Sequence, residues 1–339
     1  MSSPQQTPYT VVGAGAIGGT LAHHLARAGH PVTVVDADRE HVAAIAADGV
    51  TLTRGEVTIS APVAAAVTPD HGPETVGRVL LAVKAQATDS ALDWIAPRIA
   101  EDGFVVSLQN GLNEGAVAAR VGTSRTVGAF VNLFADVVGP GVIRDGGLGA
   151  LVVGELDGRV SPRVESVVAD LQAWGPARAT ANVSGYLWSK LGFGAMLTAT
   201  ALADAPMADL IDRHRRLMFG LTAEVFAVAR ELGISLEPFD AFDPAPYAGT
   251  DDAAKHEATD GLVAWLRTQP KDRSGIWRDL AVRHRPTEVP THYRSVLVAS
   301  GAVGIDTPLV RRLLEQIGEL EEGAPMSEGR LTDLEGAHA

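Results

Sequence analysis

Short apolar, β-branched runs alternate with helical periodicities through the first half of the chain. Tyr9 to Val12 is the first run. Leu21, Ala22, Leu25 and Ala28 then recur at the spacing of one helical face, and Gly29 ends that segment. Val32 to Val35 is the next strand. More strands are expected at Val79 to Val83, Phe104 to Leu108, Thr126 to Phe130 and Ala150 to Gly154, each a run suited to a sheet covered on both faces. Val164, Val167, Val168 and Leu171 mark one face of an amphipathic helix. This alternation predicts an α/β domain over residues 1–180 with a doubly wound parallel sheet of the Rossmann type.

From Ser184 the pattern changes. No strand is expected there. Leu187 to Ala203 reads as a buried helix, and Ala208 to Leu232 as a long second one stopped by Gly233. Residues 235–252, rich in Pro, Asp and Gly, read as a loop. Helices are expected around Ala253 to Leu266 and through Arg294 to Ser300. A final helix starts at Pro308, capped by Asp306 or Thr307, with Leu309, Val310, Leu313, Leu314, Ile317 and Leu320 as its apolar stripe. Residues 181–320 therefore predict an all-helical domain, and 321–339 a loose polar tail.

Composition narrows the chemistry. Cysteine is absent, which removes disulfides, thiolate nucleophiles and Cys-based metal sites. The ten histidines show no metal-binding spacing, so no metal is expected, and His23 and His24 read as packing or surface residues. A net charge of −13 argues against nucleic acid as a partner. The N-terminal stretch has no basic segment followed by an apolar one, and no run is long enough to span a bilayer. The expectation is a cytoplasmic protein without a membrane partner. Basic residues are almost all arginine; lysine occurs only at Lys84, Lys190, Lys255 and Lys271. Burial can lower the pKa of a lysine into a useful range, which arginine does not allow.

Gly13-Ala14-Gly15-Ala16-Ile17-Gly18 follows the first strand and opens the first helix. Gly13 permits a tight turn, Gly15 lets a pyrophosphate approach the backbone, and Gly18 lets helix and strand pack closely. The helix N-terminus adds N–H groups and the positive end of its dipole. Asp36 ends the second strand, where a carboxylate accepts from ribose hydroxyls and repels a 2′-phosphate. A dinucleotide cofactor is expected, NAD in preference to NADP, with nearby Arg39 keeping NADP open. Asp36 or Asp38 could instead cap the next helix.

With these motifs in order, the chain resembles the ketopantoate reductase family from about Thr10 to Gly318. Beyond the glycine-rich loop, the resemblance rests on Leu81-Ala82-Val83-Lys84-Ala85, Leu108-Gln109-Asn110-Gly111, Leu187-Trp188-Ser189-Lys190-Leu191, and Ser274 to Asp279 followed by Thr287-Glu288. It implies a nicotinamide-dependent reduction of a 2-oxo acid to a 2-hydroxy acid, or the reverse, and a homodimer. Lys190 matches the family's proton donor and Glu288 an acid near it. Lys84 and Ala135 match cofactor contacts, and Asn110 a residue touching both nicotinamide ribose and substrate. The substrate-carboxylate serine aligns with Ser274 or Gly275, and one residue is inserted before Glu288.

The chain departs from the family four and eight residues after the lysine, where asparagines are usual and Gly194 and Thr198 stand here. Losing those side chains is expected to open the pocket and remove hydrogen bonds to substrate, leaving Thr198 as the remaining polar contact. With Asp36, this favours an NAD-linked relative acting on an acid other than ketopantoate. Two alternatives stay open. One is a β-hydroxyacid dehydrogenase-like enzyme, although Gly194 lacks that class's asparagine. The other is a non-catalytic NAD(H)-binding redox sensor.

Overall fold

The computed structural model describes residues 8–269 and 271–336. The first seven residues and the last three of the tail, about which expectations were stated above, lie outside them. The chain divides into two compact units, one up to Val183 and one from Ser184.

The strands of the first unit are β1 (Tyr9–Val12), β2 (Val32–Val35), β3 (Val50–Arg54), β4 (Val57–Ala61), β5 (Ala65–Val67), β6 (Val76–Leu81), β7 (Ile99–Ser107), β8 (Thr126–Asn132), β9 (Ala135–Gly139), β10 (Val142–Asp145), β11 (Ala150–Glu155) and β12 (Ala177–Ala179). Its helices are α1 (Ala16–Arg27), α2 (Arg39–Asp48), α3 (Thr88–Ile95), α4 (Glu114–Val121) and α5 (Pro162–Leu171). Eight strands form one sheet in the order β12-β11-β8-β7-β6-β1-β2-β5. All neighbours are parallel except β8 and β11, which run antiparallel. The chain leaves β1 for β2 on one side and reaches β6 on the other, so the sheet's switch point lies beside the glycine-rich loop.

Successive residues of β1 point to opposite faces. Val11 joins a core with Leu21, Leu25, Val164 and Val167 from α1 and α5. Val12 joins the other, with Leu92, Ile95 and Val117 from α3 and α4. A second sheet, β4-β3-β10-β9, was not expected from the sequence. It joins residues far apart: β10 pairs in parallel with β3, Ile143 opposite Leu52. Ile143 also packs on α1, where a Cβ added at Gly19 would lie 2.3 Å from its Cδ1.

The second unit is helical: α6 (Val183–Thr200), α7 (Met207–Arg213), α8 (Arg215–Glu231), α9 (Pro244–Ala248), α10 (Asp252–Thr268), α11 (Gly275–Ala281), α12 (Val289–Val303), α13 (Pro308–Glu321) and α14 (Gly329–Gly336). Helix α6 is buried nearly all round, as expected for a helix apolar on every side. At Gly192 a side chain would meet the ring of Phe226 of α8 at 2.2 Å.

Four expectations need correction. The long second helix is two, α7 and α8, broken at His214, whose ring reaches Glu328 at 3.1 Å and Glu335 at 3.3 Å. The loop 235–252 contains α9. Thr307 stands at the N-cap of α13, as expected, but its side chain makes no capping bond. The Glu224 carboxylate caps the helix from α8, accepting from Leu309 and Val310 at 2.9 Å each. The tail is not loose throughout: α14 buries Leu331 and Leu334 completely, and Arg213 clamps Glu328 at 2.7 Å just before it. No helix among the described residues is long and apolar enough to cross a membrane.

Candidate active site

In the first unit, the glycine-rich loop is fixed from several sides. Gly13 has φ +91°, and a Cβ there would stand 2.6 Å from the nitrogen of Val83. At Gly18 a Cβ would fall 1.9 Å from the Gly13 carbonyl oxygen. Both glycines are required by the protein's own packing. Gly15 is different: a Cβ there meets nothing within 4 Å. The open space above it and the start of α1, which has no acidic residue in its first turn and no capping side chain, form a cradle fit for an anionic group.

Asp36 is half-buried and turned into this loop. Its Oδ2 accepts the Ala14 N–H at 2.7 Å and its Oδ1 that of Asp38 at 2.9 Å. The cap of α2 is Asp38, which accepts from Glu40 and His41. Arg39 is exposed and lies 3.9 Å from Asp70.

Sequence reasoning missed His41. Its ring is buried, with Nε2 2.9 Å from the Ala14 carbonyl oxygen. Its Nδ1 accepts the Gly141 N–H at 3.0 Å, which makes Nε2 the donor to Ala14. The cofactor loop is thereby tied to the turn between β9 and β10. Only the folded chain shows this, since the residues are far apart in sequence.

Lys84 and Asn110 both lie exposed just past strand ends, after β6 and β7. Buried Gln109 stitches their loops together, its Nε2 donating to the Val83 carbonyl at 3.0 Å and to Thr88 Oγ1 at 2.7 Å. Ala135 opens β9 and is half-buried. Burial pushes the Glu114 carboxyl, on the next helix, up to about 7, against backbone amides that favour its charged form.

In the second unit, Lys190 sits on α6 between the buried residues Ser189 and Leu191. It keeps part of its surface, but desolvation lowers its ammonium to about 8, opposed by the charges of Asp240 and Glu288. Lys190 and Glu288 are thus brought together. Asp240, whose charge has the larger effect on Lys190, was not anticipated. Glu288 stands at the start of α12, 3.8 Å from His292, and neighbouring Thr287 is anchored by Glu321 at 2.7 Å.

The pocket expected to open at Gly194 and Thr198 does not. A Cβ at Gly194 would lie 3.1 Å from the hydroxyl of Tyr293, which occupies that space and donates to the Leu191 carbonyl at 2.7 Å. Thr198 is 1% exposed and its hydroxyl donates to the Gly194 carbonyl at 2.8 Å, so it faces the core rather than a ligand. Ser274 caps α11, accepting the Trp277 N–H at 3.1 Å, and is also buried. Among the described residues no group of His and acidic side chains could hold a metal ion.

Residues 9–158 match the family model described as Ketopantoate reductase PanE/ApbA, and residues 182–321 its C-terminal counterpart. The chain belongs to the ketopantoate reductase family. As a ketopantoate reductase family oxidoreductase, it is 35% identical over 256 residues to the 2-dehydropantoate 2-reductase of Mesorhizobium japonicum, covering 66% of this chain and 76% of that one. Its fold matches the 2-dehydropantoate 2-reductase of Geobacter metallireducens with TM-score 0.76 and 26% identity, over 92% of this chain and 99% of that one. A D-mandelate dehydrogenase solved with NADH and anilino(oxo)acetate matches with TM-score 0.77 at 20% identity, over 93% and 98%, a likeness of fold alone. For the ketopantoate reductase family member, the β-hydroxyacid dehydrogenase alternative gives way to this assignment.

Proposed function

We propose that the chain reduces a 2-oxo acid to the 2-hydroxy acid, or runs the reverse, with Lys190 as proton donor and NAD as the preferred cofactor. The observation that carries this reading is Lys190 itself: a lysine on a buried helix, lowered to about 8 and flanked by carboxylates. A group intended only for solubility gains nothing from that environment, whereas a proton donor with a pKa near the working pH does.

A bound nicotinamide supplies or takes the hydride at the substrate carbon. Lys190 holds a proton on Nζ, stabilises the oxygen on which negative charge develops, and passes that proton to it. General acid catalysis of this kind is worth about 100- to 10,000-fold. Glu288 keeps the ammonium oriented. The backbone from Gly13 to Gly18 would hold the pyrophosphate, with Gly15 leaving it room. Asp36 would receive the ribose, and Lys84, Asn110 and Ala135 would line the rest. Asp36 supports NAD over NADP, and Arg39 leans toward Asp70. The D-mandelate dehydrogenase of the same fold was solved with NADH.

Asn110 and Ser274 belong to the same reading as substrate contacts, Ser274 through the hydroxyl proton that its capping role leaves available. A substrate other than ketopantoate is favoured, because Tyr293 fills the space beside Gly194 and changes the pocket's shape. A cytoplasmic homodimer completes the reading. The test is consumption of NADH and NADPH with ketopantoate and a panel of other 2-oxo acids. Turnover with NADH and a different acid supports the reading. Turnover of ketopantoate with NADPH overturns its cofactor and substrate parts. Tight NADH binding with no turnover of any acid points to a sensor.

A further inference from the structure

We propose that Asp240 is a positioning residue for Lys190, its carboxylate held beside the ammonium by a strained two-residue turn so that the ammonium stays charged and oriented. The inference rests on the proton-donor reading of Lys190 given above.

The turn is well defined. Phe239 N–H donates to the Phe242 carbonyl at 3.0 Å, and Phe242 N–H to that of Phe239 at 2.9 Å. Asp240 occupies the first position between them with φ +48°, a conformation that glycine adopts with less strain. Outside glycine, only Asp240 and His284 among the described residues have positive φ. Strain of this sort persists where the surroundings impose it.

Those surroundings are the helix that carries Lys190. Phe239 and Phe242 are buried and pack on Phe193, with ring centroids 6.0 and 5.1 Å apart. Phe193 lies three residues beyond Lys190, on the same side of α6. On the other flank, the Glu237 N–H donates to Ser189 Oγ at 3.0 Å. The turn is therefore pinned to α6 both before and after the lysine, and its apex is exposed.

Two acids act on Lys190: Asp240 from this turn and Glu288 from the start of α12. Glu288 also has His292 Nε2 3.8 Å away. Of the two charges, that of Asp240 has the larger effect on the lysine. A carboxylate beside the ammonium opposes the desolvation that would otherwise neutralise it.

The experiment uses the full chain with its lysines reductively 13C-methylated. The Lys190 resonance is identified by its loss in Lys190→Arg, and its titration is followed by NMR in the wild type, Asp240→Asn and Asp240→Gly. Both variants should lower the Lys190 midpoint by about half a unit or more. Asp240→Gly should fold at least as stably as the wild type, because glycine relieves the turn. In turnover, the alkaline limb of the pH profile should move down with the NMR midpoint. A Lys190 titration unmoved in both variants overturns the proposal, whatever the turnover. A lowered midpoint in a chain that reduces no 2-oxo acid overturns only the proton-donor reading. Loss of stability in Asp240→Gly with an unmoved midpoint assigns Asp240 to the turn alone and likewise overturns the proposal.

Discussion

Asp36 Oδ2 and the backbone nitrogen of Ala14 are 2.7 Å apart, so the acid expected to read the ribose also shapes the glycine-rich loop proposed to hold the pyrophosphate. Replacing Asp36 by Ala should then have two effects. Removing a charged acceptor from a partly buried amide costs about 1.5–3 kcal/mol, so affinity for NADH should fall about tenfold or more. The preference for NADH over NADPH should shrink as well, because the 2′-phosphate no longer meets a carboxylate. Fluorescence titration with both cofactors measures this. An unchanged ratio of affinities would remove Asp36 from cofactor choice.

Two of the loop glycines should separate folding from binding. Gly15→Ala places a methyl group in open space, so its melting temperature should match the wild type while NADH affinity falls. Gly18→Ala drives a Cβ to 1.9 Å from the Gly13 carbonyl oxygen and should destabilise the first unit by several degrees. Calorimetry and cofactor titration on both variants decide the matter. If Gly15→Ala binds NADH normally, the cradle is not where the pyrophosphate lies.

Lys190→Ala should reduce turnover by about 100-fold or more with little change in NADH affinity. As proton donor in reduction, Lys190 must be protonated, so kcat/KM should fall as pH rises through about 8. The oxidation direction should show the opposite limb. Equal turnover at pH 7 and 9.5 for reduction would contradict the assignment.

Glu114 offers a stability test independent of catalysis. Burial raises its carboxyl from 4.5 to about 7, so the folded state prefers the protonated form. Stability from this group is fully present below 4.5 and is lost as pH rises through 7. With about 1.4 kcal/mol per unit, the loss approaches ~3 kcal/mol. Glu114→Gln should therefore be more stable than the wild type at pH 8, and the gain should vanish near pH 4. Urea unfolding at the two pH values reads it, and equal gains at both would show that the fold does not raise the Glu114 carboxyl.

Much of the first unit was legible because its central strands are short apolar runs and its loop carries glycines at fixed offsets. The small second sheet was not. In β4, Val57 to Ser60 are exposed, and β10 is four residues long, so neither offers a buried run. The break at His214 has no glycine or proline to announce it and is bound by acids from the tail. Lys190 was visible as a rare lysine expected near the start of an apolar helix, although α6 begins at Val183 and carries it inside. Asp240 was not, because fifty residues separate it from the lysine, and only the folded chain brings its turn onto α6, through two phenylalanines on Phe193 and the Glu237 amide on Ser189. Tyr293 was missed for the same reason: the gap left by Gly194 is visible in sequence, and the ring that fills it is not.

The pairing of β3 with β10 also bears on how the protein is made. Thr53 and Ile143, joined by a hydrogen bond at 3.4 Å, lie 90 residues apart. At synthesis rates of about 5–20 residues per second, roughly 5–20 s separate the two strands as they leave the ribosome. Over that interval the edge of β3 that β10 later covers stays unpaired, and His41 lacks the Gly141 amide that later fixes its ring. A nascent chain halted before residue 142 can have every glycine of its cofactor loop and still lack the strand that helps hold it.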